Sequence, residues 1–107
     1  MTVLPRRSAC FRCLFPTPPL EGEIPTCQEA GIIGPLAGTF GLLQAMEALK
    51  YVLGAGRLLA DRLLIYDALG AGWRTVQLSA NRGCPLCGEQ PTIRRVESVE
   101  YATEVCG

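Results

Sequence analysis

The sequence "RGCPLCGEQ", residues 82–90, places two cysteines three positions apart, with a proline between them and a glycine directly after them. The same Cys-x-x-Cys spacing occurs once more, in "CFRC" at residues 10–13. Four thiolates complete the tetrahedron that Zn²⁺ adopts in structural sites, and the chain contains no histidine to replace any of them. The two pairs therefore predict one structural zinc site formed by Cys10, Cys13, Cys84 and Cys87.

The two pairs are far apart in sequence. Compact zinc ribbons place about 15 to 20 residues between their pairs, whereas residues 14–83 separate these two. Spacing alone leaves two alternatives open: redox dithiols, or buried thiols with no common partner. A redox pair is expected at a helix start within a βαβ unit, but the second pair leads into a proline-containing loop. We therefore expect a shared zinc site.

Residues beside the cysteines are suited to such a site. Four bound thiolates leave it with a formal charge of about −2, and we expect Arg12 and Arg82 to offset that charge. Pro85 stiffens the turn between the second pair of ligands. Gly88 lets the backbone fold back, which predicts that its amide approaches a sulfur atom.

Composition limits the classes of function. The chain has 107 residues, enough for one domain, and equal numbers of basic and acidic residues, 10 each, so it has no basic field for nucleic acid or an anionic membrane. Its longest uncharged apolar run, 32–46, is shorter than the roughly 20 residues of a membrane span. No secretion signal is visible, which predicts a reducing, cytoplasmic location. Hydrophobic residues make up 49%, an excess that predicts a missing partner or domain.

A proline-rich segment follows the first cysteine pair. Four prolines within residues 16–25 predict a long extended loop. Thr26 and Glu29 have the spacing of a capping box, so a helical turn should begin at Cys27. A thiol at a helix start lies near free backbone amides that stabilise thiolate, which makes Cys27 a candidate nucleophile. The alternative is a small buried residue at the edge of a helix.

The segment "PLAGTFGLLQAMEALKYVL", residues 35–53, predicts one long helix. Pro35 is suited to its first turn, and glycines at 54 and 56 should end it. Its residues are apolar around most of the circumference, so we expect a helix buried by more structure than this chain provides. Gly34 and Gly38 form a G-x-x-x-G pair that we expect to allow close packing in a soluble core.

Two strand patterns follow the helix. The segments 62–68 and 73–79 predict strands, and "LGAG" at 69–72 predicts a hairpin between them. Asp67, at the end of the first strand, is expected to be a turn residue. A further strand is predicted at 93–96, and Cys106 near the end is left without a role.

Taken together, "CFRCLFP", "TCQEAGIIGPLAGTFGLLQAMEALK", "LLIYDAL" and "CPLCG" resemble, in this order, the C-terminal half of the ThiF/MoeB/HesA family of ubiquitin-activating-like adenylyltransferases. The resemblance covers essentially the whole chain. It implies an α/β fold that is the C-terminal half of a ThiF-type Rossmann-like domain. In this fold one long buried helix and a mostly antiparallel strand set are closed by a four-cysteine zinc site, and residues 1–107 form a partial domain.

The resemblance also implies a function. Enzymes of this family use ATP and Mg²⁺ to adenylate the C-terminal glycine of a ubiquitin-like sulfur-carrier protein, in molybdopterin or thiamin biosynthesis. Cys27 falls on the position of the cysteine proposed for sulfur or thioester chemistry in some members. The loop from Phe15 to Thr26 matches the crossover segment that lies near the carrier's tail.

The nucleotide-binding half of the family is not found in this sequence. No G-x-G-x-x-G motif is present, and no phosphate cradle precedes Cys10. ATP and Mg²⁺ would then be bound only through another half or a homologous subunit. Two hypotheses follow: part of an adenylyltransferase, or a non-catalytic zinc-stabilised module that binds a ubiquitin-like carrier or a homologous enzyme. A redox dithiol protein ranks last.

Overall fold

The protein is described from a computed structural model that covers residues 1–20, 23, 25 and 27–99. These residues form two short helical turns, one long helix, one β-hairpin and a final 3-10 turn. In chain order the elements are α1 (Phe11–Leu14), α2 (Cys27–Ala30), α3 (Gly34–Leu53), β1 (Arg62–Asp67), β2 (Gly72–Gln77) and the 3-10 turn Val96–Ser98. The α/β class, the single long helix and the antiparallel strand pair are confirmed.

Helix α3 begins and ends where the sequence predicts. Pro35 lies in the first turn, where a missing amide costs no helical hydrogen bond. Gly54 ends the helix in the left-handed conformation, with φ of 62°, and its amide bonds the carbonyls of Lys50 and Tyr51.

Within the described residues, α3 lacks the burial that its apolar composition predicts further structure to provide. None of its 20 residues is buried, because the residues described here pack against only one side of it. A Cβ added at Gly34 or Gly38 would meet no atom within 4 Å. The expected close packing at these glycines is therefore also missing from the described chain.

Glu47 lies on the side of α3 that faces the rest of the described chain. The Glu47 carboxylate accepts hydrogen bonds from Thr2 Oγ1 at 2.5 Å and from the Leu59 amide at 2.7 Å, and it forms an ion pair with Lys50. Thr2 also pairs in parallel with Ala60. Burial would raise the pKa of Glu47, but the bonds from Leu59, Lys50 and Thr2 lower it to about 2. Glu47 therefore joins the helix, the N-terminal segment and the approach to β1.

The hairpin pairs β1 with β2 in antiparallel register, from Arg62 opposite Gln77 to Asp67 opposite Gly72. Asp67 Oδ1 accepts hydrogen bonds from the amides of Leu69 and Gly70 at 3.1 and 3.0 Å. The prediction that Asp67 is a turn residue is confirmed.

Aromatic side chains join the hairpin to the helix. Tyr66 stacks on its cross-strand neighbour Trp73 with ring centroids 4.1 Å apart. Phe40 of α3 meets Tyr66 edge-on at 6.5 Å. These contacts lie on the same side of α3 as Glu47, so one side of the helix makes both its apolar and its polar contacts.

The predicted strand at 93–96 is wrong. Residues 93–95 have no regular structure, and the 3-10 turn begins at Val96. The amides of Thr92 and Ile93 both bond the carbonyl of Pro85 at 2.9 Å. This segment is therefore held against the second cysteine pair instead of a strand edge.

Candidate metal centre

The four predicted cysteines lie together although their pairs are far apart in sequence. All four Sγ atoms are within 4.8 Å of one another. Cys10 Sγ lies 3.8 Å from Cys13 Sγ and 3.6 Å from Cys84 Sγ, and Cys13 Sγ lies 3.4 Å from Cys87 Sγ. A tetrahedron with Zn–S bonds of about 2.3 Å has edges of about 3.8 Å. The donor set and its dimensions therefore fit a zinc ion.

The first pair is shaped by the short turn α1. Cys10 precedes the turn in an extended conformation, and its carbonyl accepts the Cys13 amide at 3.0 Å. This closed turn brings both thiols to one side. Ala9 and Cys10 are both buried, so the first pair begins in an enclosed part of the described chain.

The second pair forms a tight knuckle around a buried sulfur. Cys84 is 1% exposed, and its Sγ accepts the amides of Leu86 at 3.4 Å and Cys87 at 3.5 Å. The Gly88 amide bonds the Cys84 carbonyl at 3.0 Å. The prediction that the Gly88 amide approaches a sulfur is thus wrong, because two earlier amides already occupy that position.

Gly88 is required for a different reason. A Cβ at this position would lie 2.6 Å from the Cys84 carbonyl oxygen and 2.7 Å from its nitrogen, and closer still to the carbonyl oxygen of Arg82. Backbone atoms cannot move aside as the end of a flexible side chain can. The backbone at residue 88 can approach the backbone of Arg82 and Cys84 this closely only because glycine has no side chain.

Two polar residues that the sequence analysis missed connect the pairs to the rest of the protein. Asp61 Oδ1 accepts the Ala9 amide at 2.7 Å, and the Asp61 carbonyl accepts the Leu78 amide at 2.8 Å. Asn81 donates its amide to Cys13 Sγ at 3.4 Å. Asp61 has φ of 55°, a conformation that Asp and Asn tolerate best after glycine. That preference is the only signal for Asp61 that the sequence carries.

Burial and hydrogen bonds shift the pKa values of three cluster thiols in different directions. Burial would raise the pKa of Cys84, but hydrogen bonds from the Cys87 and Leu86 amides lower it to about 7. Burial raises the pKa values of Cys10 and Cys87, and neighbouring thiols raise that of Cys87 further. A soft dication stabilises the thiolates that the site otherwise disfavours.

The two arginines differ in their surroundings. Arg12 is 8% exposed, and its Nη1 donates to the Phe15 carbonyl at 3.4 Å. The Arg82 side chain is 91% exposed, with Nε 3.8 Å from a Glu89 carboxylate oxygen. Solvent and Glu89 therefore screen the Arg82 charge, and Arg12 is the better placed of the two to act on the cluster.

Cys27 is the first residue of α2, where the sequence places the start of a helical turn. Its side chain, its predicted cap Thr26, and Cys106 all lie outside the described residues. The nucleophile assigned to Cys27 therefore stays a prediction.

Comparisons with known proteins match most of this chain. The ThiF family matches residues 1–86. The chain belongs to the ThiF family. It is 50% identical over 98 residues to a sulfur carrier protein adenylyltransferase of Thermus thermophilus, covering 92% of this chain and 35% of that protein.

Two further relatives also match most of this chain. The ThiF-family chain is 42% identical over 100 residues to a SAMP-activating enzyme E1 of Haloferax volcanii, covering 94% of this chain and 37% of that enzyme. It is 39% identical over 99 residues to an adenylyltransferase and sulfurtransferase MOCS3 of Dictyostelium discoideum, covering 91% of this chain and 23% of that protein. The chain thus spans little more than a third of these relatives, or less. The resemblance stated from the sequence is confirmed.

The part of this ThiF-family chain that the structure describes does not fit ATP and Mg²⁺. The sequence has no G-x-G-x-x-G loop. Within residues 1–20, 23, 25 and 27–99, the one group of side chains that could hold a metal is the four-cysteine cluster, whose soft sulfurs do not suit Mg²⁺. Over the same residues, no helix has the length and apolarity to cross a bilayer.

Proposed function

We propose that this chain is the metal-stabilised, carrier-facing part of an adenylyltransferase that activates the C-terminal glycine of a ubiquitin-like sulfur-carrier protein. The observation that carries this proposal is the 50% identity, over 92% of the chain, to a sulfur carrier protein adenylyltransferase. The assembled cysteine cluster supports it, because it brings residues 10–13 and 84–87 together as a single structural unit.

In this proposal the zinc ion is structural. It would be held by Cys10, Cys13, Cys84 and Cys87 and would tie the start of the crossover segment to the end of the domain. The crossover segment, 15–26, would lie along the carrier's tail, where main-chain hydrogen bonds suit a terminus that lacks side chains. Cys27 would supply the thiol for sulfur or thioester chemistry.

ATP and Mg²⁺ would be bound by a nucleotide-binding half or a homologous subunit, and no step of nucleotide chemistry is assigned to the described residues. The sulfur transfer would be of the molybdopterin or thiamin type. The working location would be the reducing cytoplasm, where thiolates stay available for zinc.

A chimera tests the proposal. The 98-residue matching segment of the Thermus thermophilus relative is replaced by the corresponding residues of this chain. ATP–pyrophosphate exchange is then measured with a sulfur carrier that ends in Gly-Gly. We expect exchange that depends on the carrier, whereas the isolated chain should show none. A folded, zinc-loaded chimera without exchange would contradict the proposal.

The alternative is a non-catalytic module that binds a carrier or a homologous enzyme. It would need only the cysteine cluster, which the described residues bring together. Titration calorimetry of the isolated chain with the carrier separates the two functions. Binding by the isolated chain, together with an inactive chimera, supports the binding module.

The role of Cys27 is tested in the same chimera. Carrier adducts that persist in a Cys27→Ser chimera would assign the thiol chemistry to another residue.

A further inference from the structure

The four sulfurs of the cysteine cluster divide into a buried half and an exposed half. The buried half is Cys10 and Cys84, which are 6% and 1% exposed and whose Sγ atoms lie 3.6 Å apart. The exposed half is the half-buried Cys13 and the exposed Cys87, whose Sγ atoms lie 3.4 Å apart. Each half takes one sulfur from each Cys-x-x-Cys pair, so the two accessible sulfurs belong to different pairs.

Backbone amides distinguish the sulfurs further. Cys84 Sγ accepts the amides of Leu86 and Cys87, and Cys13 Sγ accepts the amide of Asn81. An amide that donates to a sulfur draws electron density from it and lowers its nucleophilicity. Among the described residues, no amide donates to Cys87 Sγ. Cys87 is therefore the ligand best suited to react with an oxidant.

A cavity leads to Cys87. Its volume is about 550 Å³, and Leu4, Arg6, Leu86 and Cys87 are among the residues that line it. One water molecule takes up about 30 Å³ in the liquid. A molecule of two oxygen atoms, such as hydrogen peroxide, therefore fits in this cavity with room to spare.

Burial also determines which disulfide can form. A disulfide inside the first pair needs Cys10, and one inside the second pair needs Cys84, and both are buried. Cys10 Sγ lies 3.8 Å from Cys13 Sγ, farther than the 3.4 Å across the exposed half. An S–S bond measures about 2.05 Å, so the exposed half needs the smaller movement.

We propose that Cys13 and Cys87 form an oxidative modification site, at which a peroxide joins the two Cys-x-x-Cys pairs by a disulfide and removes two of the four zinc ligands. The Cys87 thiolate attacks one peroxide oxygen, which forms an S–O bond, breaks the O–O bond and releases hydroxide. The Cys13 thiolate then attacks the Cys87 sulfur, which forms the S–S bond and releases a second hydroxide. The two sulfurs lose two electrons, and the peroxide gains them.

The disulfide replaces one link between the pairs with another. Only Cys10 and Cys84 remain as thiolates, and structural zinc is held by four ligands. Residues 13 and 87 stay covalently joined while the metal is absent. A dithiol reductant restores both thiolates and is itself oxidised to a disulfide. This inference does not depend on the proposed adenylyltransferase function.

Peptide mapping of the zinc-loaded chain after treatment with hydrogen peroxide tests the site. Trypsin cleaves after lysine and arginine, and it separates the cluster into three peptides: 8–12 with Cys10, 13–50 with Cys13, and 83–94 with Cys84 and Cys87. Peptide 13–50 also contains Cys27. The chain therefore carries Cys27→Ser and Cys106→Ser, so that the four cluster thiols are the only ones left.

We expect peroxide to release zinc to a chromogenic chelator and, in step with the release, to link peptide 13–50 to peptide 83–94. Fragmentation of the linked peptides should place the bond at Cys87. Dithiothreitol and added zinc should restore the four thiols and the bound metal. A link between 8–12 and 13–50, or a bond closed inside 83–94, would overturn the inference, because each pair would then oxidise by itself. Zinc that stays bound in a large excess of peroxide would overturn it too, as would sulfinic or sulfonic acid at Cys87 without a disulfide.

A variant that keeps four ligands tests the role of Cys87 separately. Cys87→His leaves three cysteines and one histidine, a set that also binds structural zinc. Zinc release by peroxide should slow by about tenfold or more, because the exposed thiolate is gone. The matched control is Gln90→His, which adds a histidine at an exposed neighbour and should release zinc at the parent rate. Equal rates in the two variants would contradict the inference, and if Cys87→His fails to hold zinc, the peptide map decides alone.

Discussion

The cysteine cluster and helix α3 differ in how far the described chain buries them. The buried residues of the described chain all lie at or beside the cluster: Ser8, Ala9, Cys10, Arg12 and Cys84. Helix α3 has the apolar composition of a core element, yet none of its residues is buried. Metal–ligand bonds can supply folding free energy directly where a hydrophobic core is small. The apolar helix, in contrast, is built for structure that the described chain does not provide.

The largest expected effect comes from removing one ligand at the cluster. Cys84→Ser should release zinc and abolish cooperative unfolding, because structural zinc contributes to folding outright and Cys84 is the most enclosed ligand. Metal content by mass spectrometry and thermal unfolding by circular dichroism measure both effects. Cys27→Ser is the control and should keep its zinc and its transition. A cooperative transition in the Cys84 variant would show that the cluster is not the stabilising centre.

The sequence was informative where the governing physics is local. The two Cys-x-x-Cys pairs identified the four candidate ligands, although spacing alone did not assign them to one site. Pro35 and Gly54 bounded α3, and turn residues located the hairpin. The contact of Asp61 with Ala9 spans 52 positions and leaves no local pattern. The wrong strand at 93–96 has a similar cause, since bonds to Pro85 override a short apolar run. Apolar composition likewise indicated that α3 needs cover, but it could not identify what provides that cover.

The next prediction concerns the close approach of backbone atoms at Gly88 in the second cysteine pair. Gly88→Ala should destabilise the zinc-loaded chain by about 3 kcal/mol and weaken zinc binding, because the added Cβ would lie under 3.0 Å from three backbone atoms. Urea unfolding and competition with a zinc chelator measure the two losses. Gly72→Ala is the control, since a Cβ there meets no atom within 4 Å. Equal stability of both variants would mean that the knuckle is looser than described.

A smaller effect is expected where α3 is joined to the rest of the chain. Glu47→Gln should cost about 2 kcal/mol, because the depressed pKa of Glu47 reports stabilisation of its charged form by the Leu59 amide, Lys50 and Thr2. That stabilisation is present above the ordinary value of 4.5 and is lost as pH falls toward about 2. The difference between parent and variant in urea unfolding should therefore stay constant between pH 6 and 8. A difference that fades toward pH 6 would contradict the depressed pKa.

The smallest effect separates the two sides of α3 itself. Leu42→Ala should change the free energy of unfolding by less than about 0.5 kcal/mol, because the side chain is 75% exposed and alanine favours the helix. Phe40→Ala, two positions away, should cost more, since Phe40 meets Tyr66. A loss of about 2 to 5 kcal/mol at Leu42, typical of a buried leucine, would mean that the chain covers its own helix.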